Sequence, residues 1–153
     1  MIDLDRATND DERLALALLR AMEQGRTGAA IVELCTEDFV WENSGLPTIR
    51  GIEGYRELVR SGGFTTWIPI LATMRTFTVD LLNLASSGEP GNRVVFTERI
   101  DHFWDAEGRD LMTPHICGVI ELRNGRIAAM REFYDVAVYQ QTPTEPDPAH
   151  AVR

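Results

Sequence analysis

Two cysteines, Cys35 and Cys117, are too few for a disulfide framework, and their spacing matches no metal-binding pattern. Both are expected as reduced, buried apolar fillers. No stretch approaches the ~20 apolar residues that a membrane-crossing helix needs. The opening residues, MIDLDRATND, are acidic and polar and lack the apolar core of a signal peptide. Basic charge is also short. The 15 Lys and Arg against 24 Asp and Glu leave a net charge of −9. Such a surface repels nucleic-acid phosphates and anionic membranes, but not a neutral small molecule. The expectation is a cytoplasmic protein with no nucleic-acid or membrane partner.

What is present suits one globular domain. At 153 residues, two domains would each be too small for a good core, whereas one buries roughly 70% of its unfolded surface. The hydrophobic fraction of 44% and charged fraction of 25% are ordinary for such a domain.

Residues 1–9 read as a flexible arm, 10–139 as the domain, and the proline-bearing 140–153 as a disordered tail. Leu14, Leu18, Leu19 and Met22 recur at helical spacing over residues 10–23, and Gly25 stops that helix. A second short helix covers 28–35, with Ala30, Ile31 and Leu34 inward. Residues 39–42 form a strand ended by Ser44-Gly45-Leu46-Pro47. Gly51 opens a third helix, with Ile52, Tyr55, Leu58 and Val59 as its stripe, closed by Ser61-Gly62-Gly63. Strands follow over 75–84, 93–104, 111–122 and 126–139, the last two joined by the hairpin signal Asn124-Gly125. Three helices and a four-strand antiparallel meander, completed by the early strand, make an α+β layout. A curved sheet wrapped by helices leaves a cavity on its concave side.

The candidate chemistry lies on the strands. Arg99 and Asp101, two apart, leave one strand on the same face, shared with Val95, Thr97 and Phe103. Phe96, Glu98, Ile100 and His102 take the other face, and alternation alone does not say which is buried. Asp135 is aligned with Arg131 and Phe133 on the last strand. Asn43 ends the early strand, on the face of Trp41. Singly, each has a plain reading: a surface ion pair, a solvated edge aspartate, a turn asparagine, a core tryptophan. Together, two carboxylates, an arginine and an amide in one apolar cup can supply a matched base and acid. The arginine keeps one carboxylate ionised, while burial and like charge push the other towards its neutral form.

Phe96-Thr97-Glu98-Arg99-Ile100-Asp101, Arg131-Glu132-Phe133-Tyr134-Asp135 and Trp41-Glu42-Asn43 with Leu46-Pro47 resemble the limonene-1,2-epoxide hydrolase family. That family lies within the SnoaL-like and nuclear-transport-factor-2-like group. The resemblance implies a cone-shaped α+β roll, a cup that takes a small apolar epoxide, and a homodimer. It also implies one-step opening of the epoxide by water to a vicinal diol, without metal or organic cofactor. Carried over, Asp135 is the base, Asn43 positions the water, Asp101 is the acid and Arg99 the bridge. Trp41 stands where the family pattern has tyrosine, and an indole N–H can donate but not accept. The wall residues suggested are Phe64, Trp67, Ile68, Leu71, Phe77, Phe103 and Ile116, and His115 and Tyr134 read as packed core side chains. Two other readings remain on this fold: an isomerase or cyclase like the ketosteroid isomerases, and a non-catalytic binding or dimerisation module.

Overall fold

The computed structural model describes residues 1–152. Helix α1 spans Asp10–Glu23. Asn9 caps it by accepting from the Glu12 N–H at 3.0 Å, and Asp10, Asp11 and Glu12 fill the first turn, where the helix dipole favours negative charge. The helix is buried on two sides. Ala15 and Leu18 join the main core with Ile31, Phe39, Ile120 and Ile127, while Leu16 and Leu19 meet Ile2 and Val79. Residues 1–9 are therefore not a loose arm. Ile2 is 4% exposed, its N–H donates to Glu23 at 2.6 Å, and Leu4–Arg6 forms a 3-10 turn. Ile2, with Leu4 and Ala7 beside it, finds a slot against α1, which composition does not reveal.

Helix α2 (Thr27–Leu34) leads into strand β1 (Cys35–Asn43), and a short strand β2 (Ile49–Arg50) precedes helix α3 (Gly51–Arg60). Two 3-10 turns, Gly63–Thr66 and Pro69–Thr73, follow. Strands β3 (Thr76–Ser87), β4 (Val94–Trp104), β5 (His115–Arg123) and β6 (Arg126–Phe133) complete the sheet. Its order is β2-β1-β6-β5-β4-β3, a meander with β1 added parallel to β6 and every other pair antiparallel. Register shifts in β1, β3 and the β5–β6 pair mark bulges, which bend strands. The expected α+β layout is observed.

Two strands are shorter than expected. β5 begins only at His115, after Pro114, and β6 ends at Phe133 instead of continuing to Tyr139. Val136–Gln140 is a 3-10 turn. The segment beyond it, expected as disordered, is docked on the loop after β4. The backbone N–H groups of Thr144, Asp147 and Val152 donate to the carbonyls of Asp110, Gly108 and Ala106 at 3.0–3.1 Å. His150 stacks on Trp104 with ring centroids 3.7 Å apart. Backbone pairing holds this segment in spite of its polar composition.

On β4 the buried face is that of Val95, Thr97, Arg99 and Asp101, and Phe96 points outward. Cys35 is buried as expected, but Cys117 lies on the opposite face of β5 and is exposed. His115 is likewise exposed and pairs with Glu98 at 2.8 Å. No helix among the described residues is long and apolar enough to cross a membrane.

Candidate active site

Four adjacent strands set one crosswise row of residues. Thr97 on β4 pairs with Gly118 on β5, Gly118 with Glu132 on β6, and Glu132 with Asn43 on β1. Arg99 stands one step along β4 from Thr97. Because Gly118 has no side chain, the Arg99 guanidinium can lie over β5 and reach Glu132 on the far side. Its Nε donates to Asp101 Oδ1 at 2.8 Å, its Nη2 to Asp101 Oδ2 at 3.3 Å and also to Glu132 Oε1, and its Nη1 to Thr97 Oγ1 at 3.2 Å.

All three charged groups are buried, with Arg99 1%, Asp101 4% and Glu132 6% exposed. One guanidinium between two buried carboxylates leaves a net negative charge in an apolar surrounding, which favours a proton on Asp101. Burial pushes Asp101 up to about 6; the Arg99 charge opposes this and the nearby Glu132 charge adds to it. Burial disfavours the Arg99 cation too, but Asp101 and Glu132 outweigh that and raise its pKa. The arginine is a fixed cation.

Asn43 completes the constellation. With its amide oriented to satisfy both ends, Nδ2 donates to Glu132 Oε2 at 3.0 Å and Oδ1 accepts from the Trp41 indole N–H at 3.2 Å. Trp41 thus acts on the amide, a role its donor-only indole permits. Its ring packs edge-on against Phe64, centroids 5.2 Å apart.

These groups open onto a cavity of about 250 Å³. Arg99, Asp101 and Glu132 are the charged residues in its lining. Phe64, Ile68, Leu71, Phe77, Phe103 and Ile116 line it as expected; Trp67 instead packs behind Phe64. Tyr134, read as a packed strand aromatic, also faces the cavity.

Asp135 does not. It is exposed, lies beyond the end of β6, and caps the following 3-10 turn by accepting from the Ala137 N–H at 2.9 Å. Alternation explains the difference. Met130 and Glu132 point inward, so Arg131 and Phe133, and any strand continuation through Asp135, belong to the other side. The structure places Arg99, Asp101, Asn43 and Trp41 together, and Glu132, not Asp135, stands with them. The available signal was Met130, the apolar residue two positions before Glu132.

The sequence matches the limonene-1,2-epoxide hydrolase catalytic domain family over residues 9–143. The chain belongs to that family. Among solved structures, it is similar to a Mycobacterium tuberculosis epoxide hydrolase of the limonene-1,2-epoxide hydrolase-like kind. The two are 25% identical with a TM-score of 0.64, over 86% of this chain and 82% of that one. An NTF2-like protein of unknown function from Cytophaga hutchinsonii (15% identity, TM-score 0.57, 84% and 93% covered) shares the fold. So does one from Burkholderia pseudomallei (16%, 0.61, 85% and 94%). Within this limonene-1,2-epoxide hydrolase-family chain, the cavity-facing carboxylates are Asp101 and Glu132.

Proposed function

We propose that this chain opens a small, uncharged, apolar epoxide to a vicinal diol by one-step addition of water. The observation that carries the reading is Arg99 held between Asp101 and Glu132 at the wall of an otherwise apolar cavity. Glu132 is the base and Asp101 the acid. A water that donates one proton to Glu132 and the other towards Asn43 Oδ1 presents its lone pair to an epoxide carbon. As the new C–O bond forms, the ring C–O bond breaks, Glu132 takes the water proton, and Asp101 protonates the departing oxygen. Arg99 holds both carboxylates in place and carries the compensating charge, so little reorganisation is needed as charge moves. The proton gained by Glu132 is then lost and Asp101 is reprotonated before the next turnover.

The cavity suits this substrate class. An anionic ligand would meet no cation but the already paired Arg99, and at interior packing density the cavity takes on the order of ten to fifteen non-hydrogen atoms. The same acid and base could move a proton beside a carbonyl, since a neutral carboxylic acid can hydrogen-bond an oxyanion. Turnover of small cyclic and terpenoid-like epoxides by excess enzyme in ¹⁸O-water separates the readings. Labelled diol in the first turnover supports direct attack by water. Unlabelled first-turnover diol would mean a carboxylate ester route. No diol, with deuterium exchange into ketones, would mean the isomerase.

A further inference from the structure

A carboxylate has two equivalent ends, but an amide does not. Asn43 can present either oxygen or nitrogen to Glu132, and only one orientation leaves Oδ1 available for a water. Two tyrosines, Tyr134 and Tyr139, stand beside it. The Tyr134 hydroxyl lies 3.4 Å from the same end of the amide that faces Glu132. It is also 2.6 Å from the Tyr139 hydroxyl, which in turn lies 2.5 Å from the Ser44 carbonyl.

The direction of this chain follows from its last member. A carbonyl only accepts, so Tyr139 donates to Ser44. The Tyr139 oxygen then accepts from the Tyr134 O–H. That leaves Tyr134 Oη facing Asn43 as an acceptor. An acceptor there, beside the Glu132 oxygen, repels Oδ1 and attracts Nδ2. Both hydroxyls resist ionisation: burial raises the pKa of each, and for Tyr134 the hydrogen bond with Tyr139 adds to it. Tyr139 comes from the 3-10 turn after β6, outside the sheet.

We propose that Tyr134 and Tyr139 are positioning residues that lock the Asn43 amide with its nitrogen towards Glu132 and its oxygen towards the Trp41 N–H, leaving the second lone pair of that oxygen for the reacting water. The outer hydroxyl sets the direction of the inner one. This rests on the role given above to Asn43 in holding the water.

Tyr139→Phe removes a hydroxyl that neither lines the cavity nor reaches Asn43, and meets Tyr134 instead. Freed of its acceptor, the Tyr134 O–H turns into a donor and pulls the amide oxygen the wrong way. Turnover kcat should fall about tenfold, the equivalent of one ordinary hydrogen bond, with KM within about twofold. Adding Tyr134→Phe removes the misdirected donor, so the double variant should be no slower than Tyr139→Phe alone. Losses that add, or an unchanged kcat in Tyr139→Phe, overturn the proposal. The Asn43 side-chain amide resonances in ¹⁵N NMR give a readout independent of turnover. They should shift in Tyr139→Phe, and their remaining unmoved also overturns it. If the wild type opens no epoxide but these resonances shift, the amide lock stands and the hydrolase reading falls.

Discussion

A methyl group on Gly118 would stand 2.7 Å from Nη1 of Arg99 and 2.5 Å from Thr97 Oγ1. The glycine is needed for space, since the guanidinium crosses β5 directly over it to reach Glu132. Arg99 is a flexible side chain in principle, but here both carboxylates pin its head, so it cannot yield without giving up one of them.

Gly118→Ala should therefore act on chemistry before it acts on folding. Displacing the guanidinium by about an ångström is expected to lower kcat/KM about 100-fold. The overpacked site should cost only about 1–3 kcal/mol of stability. Steady-state kinetics beside urea denaturation would check both.

Glu132 and Asp135 make opposite predictions. Glu132→Gln keeps the shape but cannot take a proton, and should reduce kcat by about 10²–10⁴. Asp135→Asn should leave kcat within about twofold, because Asp135 is exposed and asparagine caps a turn as well as aspartate does. Diol formation by the two variants, measured side by side, decides which carboxylate is the base.

The elevated Asp101 has consequences for both activity and stability. An acid required in its protonated form is lost as pH rises through about 6, so kcat/KM should decline above that value. For stability, the folded pKa lies above the unfolded value, ~3.9. The folded state then holds the proton more tightly, and the stability this contributes is complete below about pH 4 and lost as pH rises through about 6. His102 is raised as well, first by its hydrogen bond with Asp110, with burial opposing and Asp80 assisting. Its contribution is complete below about pH 6.5 and lost above, as pH passes the raised folded value. Denaturation midpoints across pH should show both windows, and Asp101→Asn should remove only the lower one.

The docked C-terminal segment depends on Gly108. Its φ is +80°, and a Cβ there would lie 2.0 Å from the Asp147 carbonyl oxygen. Gly108→Ala should release the segment, seen as faster amide exchange at Thr144, Asp147 and Val152. A variant that kept these amides protected would show that the backbone bonds to Asp110 and Ala106 and the His150–Trp104 stack outweigh the clash.

Much of this was legible in local sequence. Helical stripes and turn formers located α1, α3 and the meander because each element's period is a property of a few consecutive residues. The i, i+2 relation put Arg99 beside Asp101, and Trp41 beside Asn43, for the same reason. Ile2 and the segment after Gln140 escape such a reading because polar composition says how little a stretch can bury by itself, not whether a neighbour offers it a slot or a backbone partner.

The sequence alone determined the α+β class, the order of the main elements, and the face shared by Arg99 and Asp101. Only the tertiary structure decided that Glu132 faces the cavity and Asp135 does not, and that Gly118 opens the path between Arg99 and Glu132. Alternation relates residues within a strand. It carries no information about where pairing stops or which residues of neighbouring strands lie opposite each other. Those depend on bulges, register and the burial of one whole face, which the folded sheet settles at once.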